Sequence, residues 1–229
     1  MKKNVRIQHT IIMAAGRGNR MRPLSDKLPK AMIPYREGTL ISSTLKSLKE
    51  FAKFIHVTVG YKASILSSYL MRFGFVDTII YTEGHANSWW IYNSLMRCID
   101  EPVLVLTCDN ITELDIAFIN REYSRVGSPA CMLIPVNPIE NIAGDYIEDD
   151  AGAVISIQRS RPTDIYASGI QVLNPSKVIA LAPNDGDFYS IWQQLIKARQ
   201  LYISDIYPRA WFSVDTLEQL KSLNSKGKD

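Results

Sequence analysis

The sequence predicts an α/β fold: one mostly parallel sheet with helices on both faces and antiparallel additions in the C-terminal half. Three observations predict it. Short apolar or β-branched runs alternate with amphipathic stretches through residues 9–108, as in strand–helix–strand units with right-handed crossovers. The run Pro102–Cys108 (PVLVLTC) is apolar almost throughout, the pattern of a strand covered on both faces. From Ala130 onward the strands shorten and little separates them, which suits antiparallel excursions from a parallel core.

The elements follow in order. His9–Ala15 reads as a buried strand that runs into a turn at Gly16. Thr39–Phe51 reads as a helix, with Leu40, Ile41, Leu45 and Leu48 on one stripe and Lys46, Lys49 and Glu50 on the wet side. Phe54–Gly60 is a β-branched strand, Lys62–Phe73 a helix stopped by Gly74, and Val76–Tyr81 a strand. Asn87–Ile99 reads as one helix with Asn87 or Ser88 as its N-cap. After Pro102–Cys108 come strands at Ala130–Val136, Asp145–Glu148, Val154–Gln158 and Gly169–Leu173. Helices at Pro175–Leu181 and Asp187–Arg199 precede strands at Tyr202–Ile206 and Trp211–Val214. Thr216–Leu223 closes as a helix, and the polar residues 224–229 read as a frayed tail. No repeat or linker interrupts the chain, so residues 1–229 read as a single domain.

Composition narrows the function classes. Of 229 residues, 46% are hydrophobic and 21% charged, which excludes a disordered chain, a collagen and a membrane bundle. The net charge of +3 demands neither nucleic acid nor an acidic membrane as partner. The three cysteines, Cys98, Cys108 and Cys131, form no C-x-x-C pair, so neither a disulfide framework nor a structural zinc site is expected. They read as reduced thiols of a cytoplasmic protein. The charged N-terminus and the short apolar stretch Ile11–Ala15 do not make a signal peptide. No run approaches the roughly 18 apolar residues of a spanning helix. His9, His56 and His85 have no metal-ligand spacing.

The segment Ala14–Lys30 (AAGRGNRMRPLSDKLPK) carries the chemistry. It follows a buried strand, where open α/β sheets bind ligands. Gly16 and Gly18 let the backbone approach a ligand with its N–H groups inward. Arg17, Arg20, Arg22, Lys27 and Lys30 add guanidinium and ammonium groups suited to an oligophosphate. A Walker loop is excluded by the missing Lys-Ser/Thr pair, and a dinucleotide fingerprint by Met21 where a third glycine belongs.

This segment resembles the signature of the nucleotidyltransferases that make nucleoside-diphosphate sugars, and of the related phosphocholine-type cytidylyltransferases. It matches at Ala14, Ala15, Gly16, Gly18, Arg20, Pro23, Leu24, Pro29 and Lys30. The resemblance implies a Rossmann-like, GT-A-like nucleotidyltransferase fold. Residues 1–129 would form its nucleotide-binding half and 130–223 its acceptor-binding half. It implies transfer of a nucleoside monophosphate from a triphosphate to a phosphorylated small acceptor, with pyrophosphate leaving. Arg20 would hold the leaving phosphates and Lys30 the α- and acceptor phosphates. Ala14, Ala15, Gly16, Arg17, Gly18 and Asn19, with Glu83, Asn93 and Ser94, would bind the nucleotide. Asp109, after an apolar strand, and Asp215, in W-x-x-V-D-T-x-E-x-L, resemble the family's two metal aspartates for Mg²⁺ or Mn²⁺.

On the acceptor side, Gly152–Pro162 resembles a family strand ending in E-K-P. Arg161 or Arg159 takes the place of its phosphate-holding lysine, and neither alignment supplies the glutamate. Gly169 matches the glycine that lines the acceptor pocket. The resemblance makes a sugar 1-phosphate the first acceptor, for cell-surface polysaccharide precursors. A CTP-dependent enzyme acting on a phosphocholine-like phosphate is the alternative. The alternative draws on Glu83–Leu95, where Ser94 and Leu95 match a cytidylyltransferase pattern and Asn87 and Asn93 are offset. Trp89, Trp90 and Tyr92 in that stretch either box a cationic headgroup or pack the core, and core packing is favoured. A nucleotide-binding module without chemistry, and a homo-oligomer, stay open.

Overall fold

The computed structural model describes residues 6–113, 115–140, 144–183, 186–205, 208 and 210–225. The charged N-terminal residues 1–4, the end of the expected strand at Ile206 and tail residues 226–229 lie outside them. Strand β1 (His9–Met13) leads into a short 3-10 turn (Asn19–Met21), helix α1 (Leu24–Lys27) and a second turn (Lys30–Met32). A hairpin of β2 (Pro34–Tyr35) and β3 (Gly38–Thr39) introduces α2 (Leu40–Leu48). Thr39 caps that helix, accepting from the Ser42 amide while Ser42 Oγ accepts from the Thr39 amide, a reciprocal box. Then come β4 (Phe54–Val59), α3 (Ala63–Leu70), β5 (Thr78–Tyr81), α4 (Trp89–Asn93), β6 (Val103–Thr107), β7 (Asn110–Glu113) and α5 (Ile116–Arg125). The second half contributes β8 (Cys131–Val136), β9 (Tyr146–Asp150), β10 (Ala153–Gln158) and β11 (Tyr166–Leu173). It ends with α6 (Pro175–Leu181), α7 (Phe188–Lys197), β12 (Leu201–Ile203), β13 (Ala210–Ser213) and α8 (Leu217–Ser225).

Nine strands form the main sheet in the order β5-β4-β1-β6-β11-β8-β12-β10-β9. The pairings make β10 and β11 run against the other seven. The sheet is therefore mostly parallel, with its antiparallel members in the C-terminal half. Alternation along β1 sends Ile12 to one face and Ile11 to the other. On the first face α2, α3 and α5 bury Leu45, Leu66 and Ile119; on the second α4, α6 and α7 bury Trp90, Val178 and Leu195.

Two stretches depart from the sequence expectation. The predicted helix Asn87–Ile99 is broken: α4 stops at Asn93, and a 3-10 turn covers Leu95–Cys98. Ser94 is the cause, because its hydroxyl donates to the Trp90 carbonyl and accepts from the Met96 amide, competing with the helical ladder. Asn224 and Ser225 belong to α8 rather than to a frayed tail. Residues 110–129, to which the sequence analysis assigns no element, hold β7 and α5, the latter capped by the Asp115 carboxylate on the Phe118 amide.

Candidate active site

The site begins where β1 ends. The Ala14 amide donates to the carbonyl and hydroxyl of Thr58 on the neighbouring strand, at 3.2 and 3.1 Å, and the Ala15 carbonyl accepts from Tyr61. The chain leaves the sheet there. Gly18 turns it in the left-handed region, φ 62° and ψ 42°, into the 3-10 turn. A side chain at Gly18 would also come within 2.9 Å of Lys30 Cβ. The glycine thus serves twice, in conformation and in letting the second turn of the segment dock on the first.

Lys30 is 8% exposed. Its Nζ donates to Asp109 Oδ2 at 2.6 Å and to Asp215 Oδ1 at 2.8 Å. Arg20, on the open side, reaches Asp215 Oδ1 at 2.9 Å. The two acids arrive from distant sequence by one device. Asp109 precedes β7 and Asp215 follows β13; these strands pair antiparallel, Ser213 opposite Asn110, and the Val214 amide donates to the Asp109 carbonyl. The ribbon sets both carboxylates on the same lysine. Burial opposes the Lys30 charge, but Asp109 and Asp215 outweigh it and hold the ammonium above the usual lysine range. For Asp215 burial likewise opposes ionisation, and Lys30 with Arg20 reverses it, holding the carboxyl below the usual carboxylate range.

Around this cluster opens a cavity of ≈ 630 Å³. It is lined by Ala15, Gly16, Arg17, Gly18, Asn19, Arg20, Lys30, Glu83, Asp109 and Asp215. Ala14 is buried just behind it. Arg17 lies 3.9 Å from Glu83, whose other oxygen accepts from the Tyr81 hydroxyl at 2.6 Å. Thr58, Tyr61, Thr82, His85 and Asn87 complete the wall. No motif in the sequence marks Thr58, Tyr61 or Thr82 as site residues. Their place at the C-terminal ends of β4 and β5 is the signal that would have found them.

A second, narrower cleft of ≈ 250 Å³ continues from the first and shares Met13, Asn87, Thr107 and Asp109 with it. Gly169 lines it, with φ 81°, beside Asp145, Tyr166, Phe188, Trp192 and Trp211. No motif in the sequence marks these four aromatic residues as site residues.

Besides Ala14, four predicted site residues fall outside both hollows. The Asn93 amide donates to the Trp89 carbonyl, and Ser94 makes the helix-breaking bonds described above. Both therefore serve the local backbone and line neither hollow. Arg159 and Arg161 lie exposed in the turn after β10. Arg159 holds Asp145 at 2.7 Å and lies over the Tyr189 ring, so it reaches the cleft only through that aspartate. The aromatic residues near Asn87 make no box: Trp90 is buried in the core, Tyr92 donates to the Ala182 carbonyl, and Trp89 stacks on His85.

The MobA-like NTP transferase domain matches residues 10–225. The chain belongs to this family. This MobA-like domain is 25% identical over 201 residues to the UTP–glucose-1-phosphate uridylyltransferase of Synechocystis, covering 78% of this chain and 52% of that protein. It is 24% identical over 219 residues to the mannose-1-phosphate guanyltransferase of Pichia angusta, covering 89% of this chain and 60% of the other. The MobA-like domain thus spans little more than half the length of these relatives. Among solved structures it shares the fold of the CTP:phosphocholine cytidylyltransferase of Streptococcus pneumoniae. There the TM-score is 0.77 at 19% identity, over 98% of this chain and 100% of the other. No helix among the described residues is long and apolar enough to cross a membrane.

Proposed function

We propose that the chain is a nucleotidyltransferase that moves a nucleoside monophosphate from a triphosphate to the phosphate of a small acceptor and releases pyrophosphate. One observation carries this reading: Lys30 joins Asp109 and Asp215 at the floor of a cavity rimmed by the turning backbone of Gly16–Asn19 and by Arg20. That arrangement suits a triphosphate, since backbone donors and a guanidinium meet the β- and γ-phosphates while the lysine faces the α-phosphate. An acceptor phosphate oxygen attacks the α-phosphorus, the bond to the bridging oxygen breaks, and pyrophosphate leaves with the electron pair. Catalysis by this chain is then positioning and charge neutralisation, with no covalent intermediate on the protein.

The donor set also fits a divalent ion. Asp109 and Asp215 bring carboxylate oxygens to one point, and Mg²⁺ or Mn²⁺ takes one or two carboxylates together with phosphate oxygens and water. Among the described residues no third acid, histidine or cysteine joins them, so the rest of the shell would come from substrate. When bound, the ion neutralises charge on the triphosphate. Lys30 and Arg20 keep the two acids oriented and the α-phosphate region cationic.

The names of the sugar-phosphate relatives support a sugar 1-phosphate as acceptor, and a role in polysaccharide precursor supply with it. A reaction that consumes a nucleoside triphosphate suits a cytoplasmic protein. The test is pyrophosphate release with ATP, CTP, GTP, UTP and dTTP against a panel of phosphorylated acceptors. Wild-type protein is expected to release pyrophosphate only when both substrates are present. Asp109→Ala, folded by circular dichroism, is expected to be inactive, and full turnover by that variant would refute the reading.

A further inference from the structure

Gln171 stands in the middle of the main sheet, with Val105 of β6 opposite it on one side and Leu133 of β8 on the other. The alternation of β11 puts it on the face of Leu173, among the apolar side chains that α7 covers. It is 1% exposed. Packing alone would favour an apolar residue there, since a buried amide costs free energy for each end left unbonded. Only one end of this amide is bonded within the protein. Oε1 accepts from Trp192 Nε1 at 3.0 Å and from Cys131 Sγ at 3.2 Å. Nε2 has no partner among the described residues, and Gln171 lines the cleft beyond Asp109.

These bonds decide which end of the amide a ligand meets. An indole N–H can only donate, so the atom facing Trp192 is the carbonyl oxygen and the NH₂ group is left for the cleft. Burial pushes the Cys131 thiol well above its usual range, so it stays protonated and donates as well. Turning the amide over would set donor against donor twice. Asn87, at the mouth where the two hollows meet, is fixed by the same logic. Its Oδ1 accepts from the Phe188 amide at 3.0 Å, a group that only donates, and its NH₂ is left for a ligand. Thr107, also shared by the hollows, carries a hydroxyl that turns to donate or accept and so selects neither.

We infer that Gln171 is a specificity-determining residue of the acceptor cleft. It is a donor locked in one orientation by Trp192 and Cys131, and it favours an acceptor with an oxygen beyond its phosphate ester over one that ends in methyl or ammonium groups. The inference rests on the transfer reading above. A fitting ligand gives Nε2 a hydroxyl, carbonyl or carboxylate oxygen. A ligand without one leaves the NH₂ buried and unbonded, which costs more than the bond itself contributes. Trp192 is a positioning residue here, acting through the amide it holds.

The test titrates the intact protein, with Mg²⁺ present, against glucose 1-phosphate, glycerol 3-phosphate and phosphocholine by calorimetry. At least one of the first two is expected to bind about fivefold or more tightly than phosphocholine, the scale of one hydrogen bond. Gln171→Met, folded by circular dichroism, keeps the length of the side chain and is expected to weaken that ester about fivefold, with phosphocholine and pyrophosphate binding unchanged. Trp192→Phe is expected to weaken the same ester about threefold, because the amide is no longer held one way round. A merely structural role would lower the melting temperature without this selective loss. Phosphocholine bound as tightly as both other esters, no binding of any of the three, or unchanged affinity for the preferred ester in Gln171→Met would overturn the inference. If that variant does not fold, unchanged affinity in Trp192→Phe overturns it. Pyrophosphate release with the same esters and the five triphosphates separates the inference from the reading beneath it. Selective binding without release from any triphosphate sustains the role of Gln171 and refutes nucleotidyl transfer. Release whose KM for the ester is unmoved in Gln171→Met sustains transfer and refutes the role of Gln171.

Discussion

The loop cavity and the aromatic cleft meet at Asp109, yet they are built from opposite materials. The loop side uses backbone donors, Arg17, Arg20 and Lys30 at the ends of parallel strands. The cleft side uses rings from β11, α7 and β13 with two carboxylates. Oligophosphate recognition needs a fixed positive field, which a short contiguous segment can provide. Recognition of the acceptor needs shape and local charge, which here come from separate elements of the second half. The phosphate-facing groups sit mostly on one stretch of chain, and the cleft lining is dispersed.

The largest expected effect lies at the boundary. Lys30→Met is expected to lower turnover by about 10³-fold, the scale of losing a positioned charge in a catalytic site, measured as pyrophosphate release at saturating substrates. Turnover within tenfold of wild type would erase the distinction between a catalytic loop side and a selective cleft side. The same variant leaves Asp109 and Asp215 facing each other, so added Mg²⁺ is expected to raise its melting temperature more than that of wild type, read by calorimetry.

Next in size is a control from a region outside both hollows. His56 is buried behind His9, with the two rings stacked and His9 Nδ1 3.0 Å from His56 Nε2. Burial, with the His9 charge adding to it, lowers the His56 pKa to about 4. Between pH 6.5 and about 4 the unfolded chain therefore binds a proton that the folded chain refuses. Stability is expected to fall as pH drops through that window, by up to about 3 kcal/mol. Urea unfolding at stepped pH measures it, and His56→Phe is expected to flatten the slope without changing pyrophosphate release at neutral pH.

A matched pair of glycines sharpens the comparison further. Gly18 and Gly169 both sit at positive φ, 62° and 81°, so alanine at either is expected to cost about 1–2 kcal/mol of stability. The functional signatures should differ. A Cβ at Gly18 strikes Lys30, whereas one at Gly169 meets Asn110 and Thr107 at ordinary contact distance. Gly18→Ala is expected to raise KM for the triphosphate, and Gly169→Ala to raise KM for the acceptor alone; a shared pattern would mean that the hollows act as one. The smallest effects belong to Asn93 and Ser94. Ser94→Ala is expected to cost about 1 kcal/mol through the lost cap, and triphosphate affinity in both Asn93→Ala and Ser94→Ala should stay within twofold of wild type in direct titrations.

The parallel half was legible because each strand and helix there has its own hydrophobic period, and because the loop carries its glycines and cations in one segment. Asp109 and Asp215 were legible from strand-end context. The helix break at Ser94 was not, since a hydroxyl that takes over a backbone carbonyl leaves the apolar spacing unchanged. The ribbon strand β7 was missed because it is four residues long and pairs with a strand far along the chain. The cleft escaped for a similar reason: Tyr166, Phe188, Trp192 and Trp211 look like core aromatics one at a time, and only the sheet order gathers them. Asn93 and Arg159 show the opposite case, in which side chains of suitable chemistry are held by local partners, Asn93 by the Trp89 carbonyl and Arg159 by Asp145.

The pairing of β7 with β13 has a consequence for assembly. The nucleotide loop and one acid are complete once the parallel half has folded, but the other acid joins them only when a strand from far downstream zips into register. A partly folded chain, or one cut ahead of residue 210, would hold the phosphate-binding turn with half of its acidic pair. Turnover would therefore act as a built-in report on whether maturation of the whole molecule has finished.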